Sequence, residues 1–264
     1  MSFQSVLTDS NPGQKQNPVL FILLGASNLA RSFYGLKGCI KRCLFPRSVN
    51  FIHAMGPGRG YISRGGIFNV TYTPIINCGV LETIRYTRKP NQRVIALITD
   101  IGNDIMYGVP SEKIIRGIKY IVDTLSEFET DILITSISVD LKNEISEFYF
   151  HILRQIFFPK SEAKYSQTLE AIDAINKYIH KSSNARTTVI SDMNQFCGLD
   201  KIHYSIFKSH LACSHLASKL IYPLNVKTSP NLKFSELVFS LVNNFSRILL
   251  VDMLRMVHKT KETF

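Results

Sequence analysis

The sequence predicts an α/β domain, a parallel sheet with helices on both faces, and three observations carry that reading. Short runs rich in Ile, Val, Leu and Phe recur along the chain, and stretches with apolar residues at helical spacing separate them. With 264 residues, 45% of them hydrophobic and 19% charged, the chain has apolar side chains for one sizeable core and too little charge for disorder.

The first strand is expected at Pro18–Leu24, a run closed by Gly25 and apolar enough to be buried on both faces. Comparable runs follow at Val49–Ala54, Arg93–Thr99, Asp131–Val139 and Thr187–Ser191. Helices are expected at Leu29–Cys43, Pro74–Thr87, Ser111–Phe128, Leu141–Ile156 and Ser166–His180. The long link before the fifth strand carries the cluster Phe148, Tyr149, Phe150, Phe157 and Phe158, which fits packing on the sheet, a lid or an acyl-chain pocket. After Thr228-Ser229-Pro230 a last helix near Phe234–Val257 repeats apolar residues at helical spacing, among them Leu237, Val238, Val242 and Phe245. Its apolar face calls for burial, on the domain itself, in a homo-oligomer seam or at a membrane surface. The expected organisation is a loose polar arm over residues 1–17, a domain over 18–228 and a helical extension over 229–264.

No apolar run approaches the roughly 18 residues of a membrane-spanning helix, so no transmembrane segment is expected. Met1–Asn17 lacks the basic start and apolar core of a secretory signal, which points to the cytoplasm. The five cysteines, Cys39, Cys43, Cys78, Cys197 and Cys213, include no C-x-x-C spacing and read as free thiols. The net charge of +11 is uneven. Arg31 to Arg93 holds eleven Lys and Arg against Glu82 alone, whereas Val94 to Glu147 holds four bases against ten acids. The basic stretch fits either an acidic partner or a solvated face. Its aromatic residues are not interleaved with the bases as a stacking platform requires, and no nucleic-acid partner is expected.

Four segments carry candidate chemistry, each just beyond a strand. Gly25-Ala26-Ser27-Asn28 turns into a helix and places the Ser27 hydroxyl where free N–H groups favour negative charge, so Ser27 fits both a nucleophile and an N-cap. Gly56-Pro57-Gly58-Arg59-Gly60 fits a turn and also a backbone N–H donor to an oxyanion. In Gly102-Asn103-Asp104, the Asn103 amide is a second donor of that kind. Asp200 stands three residues before His203, close enough to fold back onto Nδ1 and leave Nε2 as a general base. Ligands of open parallel sheets bind at the carboxyl ends of the strands, so the four segments converge on one edge. A nucleophile, two donors and an Asp–His pair compose a site for acyl transfer through a tetrahedral intermediate.

In these four blocks, occurring in this order over about residues 18 to 222, the sequence resembles the SGNH hydrolases, or GDSL-type lipases and esterases. The resemblance implies a flavodoxin-like three-layer α/β/α sandwich on a five-stranded parallel sheet, an acyl-serine intermediate, and no metal or organic cofactor. It implies that Ser27 attacks, His203 moves the proton and Asp200 orients it. The N–H groups of Ser27 and Gly58 and the Asn103 amide would hold the oxyanion, with Gly60 an alternative to Gly58. One departure is Ala26, where the family has an Asp, which removes a structural hydrogen bond. The expected substrate is a small ester or thioester, and the basic stretch, with Arg59 and Arg64 at the cleft, favours an anionic one. Acyl transfer to another acceptor, or an inactive relative that binds an acidic partner, are the alternatives.

Overall fold

The computed structural model describes residues 17–67, 70–247, 249–250 and 254. The arm expected over residues 1–17, apart from Asn17, lies outside them, as does most of the last expected helix beyond Arg247.

Five strands form one parallel sheet: β1 (Val19–Leu24), β2 (Val49–Ala54), β3 (Arg93–Ile98), β4 (Asp131–Thr135) and β5 (Thr187–Ile190), in the order β2-β1-β3-β4-β5. All six residues of β1 are buried, as its interior position between β2 and β3 demands. Alternation along the strands feeds two cores. Leu20, Ile22, Leu24, Ile52 and Ile98 face one side, and Val19, Phe21, Leu23, Phe51 and Leu97 the other.

The first core is covered by α2 (Val80–Thr87), α4 (Ser111–Ser126), α6 (Glu147–Phe157) and α7 (Tyr165–Lys181), and the second by α1 (Ser27–Leu44) and α8 (Ser209–Ile221). The result is the three-layer α/β/α sandwich expected from the sequence. Two expected helices are interrupted. Gly79, at φ 86°, separates a short 3-10 turn at Ile75–Asn77 from α2. Ile145 is extended between α5 (Leu141–Glu144) and α6, where the Ser146 hydroxyl caps the Tyr149 N–H. None of the five cysteines forms a disulfide.

The last helix, α9 (Phe234–Arg247), lies on α1 and departs from the expectation of a buried apolar face. Leu237 is buried, but so are Ser240, Asn244 and Arg247, while Val238, Phe239, Val242 and Phe245 are exposed. Polar contacts select this orientation. The Asn244 amide donates to Arg31 O (2.7 Å) and accepts from Tyr34 N–H (3.4 Å). Gly35 allows the close approach: a Cβ there would stand 2.8 Å from Leu232 Cδ2 and 3.1 Å from Ser240 Oγ.

Candidate active site

Ser27 is the first residue of α1, directly after the Gly25-Ala26 turn that leaves β1. Ala26 cannot cap this helix, and a carboxylate from the next strand does so instead. Asp100, just past β3, accepts from Ala26 N–H (2.9 Å) and Leu29 N–H (3.1 Å) through Oδ2. It does so at φ 59°, a left-handed conformation that Asp tolerates better than most residues. Among the described residues neither the Ser27 N–H nor its hydroxyl has a hydrogen-bond partner.

The loop after β2 is held by α3 (Asn103–Met106) and the turn after it. Gly58, at φ 71°, offers its carbonyl to the Tyr107 hydroxyl (2.6 Å), and Arg59 O accepts from Asn103 Nδ2 (3.0 Å). The buried Asp104 carboxylate gathers the next three residues: it accepts from the N–H groups of Tyr61 (2.6 Å), Ile62 (3.2 Å) and Ser63 (2.8 Å) and from the Ser63 hydroxyl (2.6 Å). Burial raises the Asp104 carboxyl above its ordinary range, although these hydrogen bonds oppose the shift. Gly60 faces this cluster, since a Cβ on it would lie 2.6 Å from both Asp104 Oδ1 and Ser63 O. The Tyr61 hydroxyl closes the arrangement at 2.9 Å from Leu24 O and 2.7 Å from Thr99 O, bridging the ends of β1 and β3.

Asp200 and His203 pair as the spacing predicts. Asp200 Oδ2 lies 2.7 Å from His203 Nδ1, and Oδ1 accepts from the N–H groups of His203 (2.9 Å) and Ile202 (3.1 Å). A carboxylate only accepts, so Nδ1 carries the proton and Nε2 is left as the basic nitrogen. Burial pushes the Asp200 carboxyl upward, but the hydrogen bonds from His203 and Ile202 outweigh it and hold it below its ordinary range. The Phe157 ring meets the imidazole edge-on at 5.0 Å, so α6 from the long insertion touches the site.

What joins His203 to Ser27 is Asn28, a residue that the sequence pattern did not single out. Its Oδ1 accepts from Tyr204 N–H (2.9 Å) and its Nδ2 donates to Ile202 O (3.0 Å). The peptides on both sides of His203 are therefore fastened to the residue that follows Ser27. Asp100, Tyr61, Asp104 and Tyr107 were missed in the same way, as side chains that bind distant backbone.

A chamber begins at Ser27, Gly102 and Asn103. It runs under the insertion, between Ile105, Leu141, Leu153, Phe157 and Ile172. The aromatic cluster is divided by this arrangement: Phe150, Phe157 and Phe158 line the chamber, and Phe148 is exposed. One expectation fails. Arg59 does not border the cleft, because it is 1% exposed and donates through Nε to Thr73 O (3.0 Å). The Gly-rich turn folds it inward against the Tyr72 ring, whereas Arg64 is exposed.

No family model and no curated protein matches the chain. Solved structures similar to it include TesA, at 11% identity over 77% of this chain and 96% of that one, with a TM-score of 0.44. Another is the psychrotrophic esterase EstA from Pseudoalteromonas sp., at 12% identity over 78% and 98%, with a TM-score of 0.42. A third belongs to the lipolytic G-D-S-L family and comes from Veillonella parvula, at 14% identity over 80% and 100%, with a TM-score of 0.41. Esterases and a lipolytic G-D-S-L protein are thus among the structures that this chain is similar to, and at these identities the chemistry has to come from its own side chains.

Proposed function

We propose that this protein is a serine hydrolase that cleaves an acyl ester or thioester, with residues 18–228 as the catalytic domain. The observation that carries the reading is the double hydrogen bond of Asn28, which fastens the Asp200–His203 pair beside the Ser27 turn. Ser27 Oγ attacks the acyl carbon while its proton passes to His203 Nε2. The N–H groups of Ser27 and Gly58 and the second N–H of the Asn103 amide receive the oxyanion. Gly58 fits the spacing from β2 best, with Gly60 the alternative. The intermediate collapses by expelling the alcohol or thiol, which takes the proton from His203. Water, activated by the same nitrogen, then releases the acid and restores Ser27. The chamber beyond Asn103 receives the apolar acyl part.

The test is covalent labelling with a fluorophosphonate, in which Ser27 Oγ displaces fluoride from phosphorus. Intact mass is expected to show one adduct that Ser27→Ala abolishes while the thermal transition stays in place. Folded wild-type protein without an adduct at neutral pH would remove the hydrolase reading.

A further inference from the structure

The exposed apolar stripe of α9 runs along the outside of the molecule toward the catalytic edge. Arg42, near the end of α1, pairs with Glu236 at 2.9 Å, whereas Asn244 binds Arg31, one turn beyond Ser27. The two helices are therefore antiparallel, and Val238, Phe239, Val242 and Phe245 are followed at the Ser27 end by exposed Leu250 and Leu254. The loop that carries His203 adds Ile206 and Phe207, 56% and 76% exposed. A helix that buries Ser240 and Asn244 and exposes two Phe and two Val is inside out for a protein surrounded only by water.

Charge decides what covers it. The helix layer of α1, α8 and α9 presents five exposed or half-buried bases (Arg31, Lys37, Lys41, Arg42 and Lys219) against the single acid Glu236, which pairs with Arg42, while Arg247 of α9 is buried. On the other face of the sheet, α2, α4, α6 and α7 balance seven bases with six acids. A two-fold contact between copies would set one basic layer against another, a like-charge arrangement that opposes association. An anionic lipid surface offers both an apolar interior for the stripe and the opposite charge for the layer.

We propose that the α9 face docks on anionic lipid bilayers and brings the mouth at Ser27 to the membrane surface. No helix among the described residues is long and apolar enough to cross a membrane, so the contact is peripheral. Docking itself does not depend on the hydrolase reading, but its use in delivering an acyl substrate does.

The experiment is co-sedimentation of the full chain with vesicles of phosphatidylcholine alone or mixed with phosphatidylglycerol. Binding is expected to be about tenfold tighter on the mixed vesicles and to weaken with added salt. Phe239→Ser with Phe245→Ser, both at exposed positions, should weaken binding at least about tenfold. Lys41→Glu, also exposed, should reduce the anionic preference alone. Absence of binding, equal binding to both vesicles, or binding untouched by the double substitution overturns the proposal. So does a dimer in sedimentation that the double substitution dissociates, or an acidic protein that competes the vesicles off. Hydrolysis of a soluble short-chain ester without vesicles is scored separately, so its failure would speak against the Ser27 chemistry and leave the vesicle result standing.

Discussion

Asn28→Ala separates a catalytic site from a fold that merely resembles one. The substitution removes two hydrogen bonds, to Ile202 O at 3.0 Å and from Tyr204 N–H at 2.9 Å. Each contributes about 1 kcal/mol, and the buried Tyr204 N–H, left without its acceptor, adds a penalty of about 1–3 kcal/mol. The expected loss of stability is therefore roughly 3–5 kcal/mol, read from urea denaturation at unchanged m. The catalytic effect has a different cause. His203 keeps its bonds to Asp200 and the bond from Gly198 N–H to its carbonyl (2.7 Å), but its loop is no longer fastened to the Ser27 turn. A displacement of about 1 Å costs on the order of 10² in rate. With a soluble chromogenic ester, kcat should fall by about that factor while KM changes little, because Asn28 positions the base and does not hold the substrate. Asn28→Asp keeps the acceptor for Tyr204 N–H but sets an oxygen against Ile202 O, and should give an intermediate rate. A kcat within about two-fold of wild type, in a protein that has lost the full stability, would show that Asn28 only holds the fold and would refute the reasoning.

Asn103→Ala removes the proposed oxyanion donor and the bond to Arg59 O, and is expected to lower kcat by about 10² to 10³. A rate within a few-fold of wild type would exclude Asn103 from the oxyanion site. Asp200 stays ionised at neutral pH because, against the upward push of burial, the hydrogen bonds from His203 and Ile202 hold its carboxyl below the ordinary range, and the buried His53, pushed down to about 3 by burial and nearby cations, stays neutral. The same lowered Asp200 value stabilises the fold above the ordinary carboxylate range, and that contribution is lost as pH falls through the folded-state value. Urea denaturation as a function of pH checks this, and an Asp200→Asn protein with the same acid dependence as wild type would show that Asp200 makes no such contribution.

The strands were legible because burial on both faces leaves uninterrupted apolar runs, and the four chemical segments because each follows such a run. β4 is shorter than its apolar run: beyond Thr135, Ile137 and Val139 line the chamber and are not paired in the sheet. Hydropathy alone does not tell those two roles apart. The place of Ser27 at the start of α1 and the pairing of Asp200 with His203 are local in sequence and were readable. Asn28 was not, since its partners lie 174 and 176 residues away and an Asn after a turn has the same pattern whether or not it binds anything. The orientation of α9 was misread for a related reason. Apolar spacing says that a helix has two faces, but the hydrogen bonds of Asn244 and the gap at Gly35 decide which face turns inward.

Ala26 leaves the start of α1 without a side-chain cap of its own. The helix end at Ser27 needs an acceptor for its leading N–H groups, and any carboxylate that reaches them serves. Asp100 reaches them from the end of β3, the same short segment that supplies Asn103 to Arg59 O and Asp104 to the loop after β2. Thr99, one residue earlier, donates its N–H to Leu24 O at 2.9 Å. Residues 99 to 104 thus hold the Ser27 turn and the loop after β2 to one central strand. A cap at position 100 couples the two, because a shift of the β3 exit displaces Ser27 and Asn103 together. Anchored to one strand end, Ser27 and Asn103 are held in the fixed relation that the proposed oxyanion site requires.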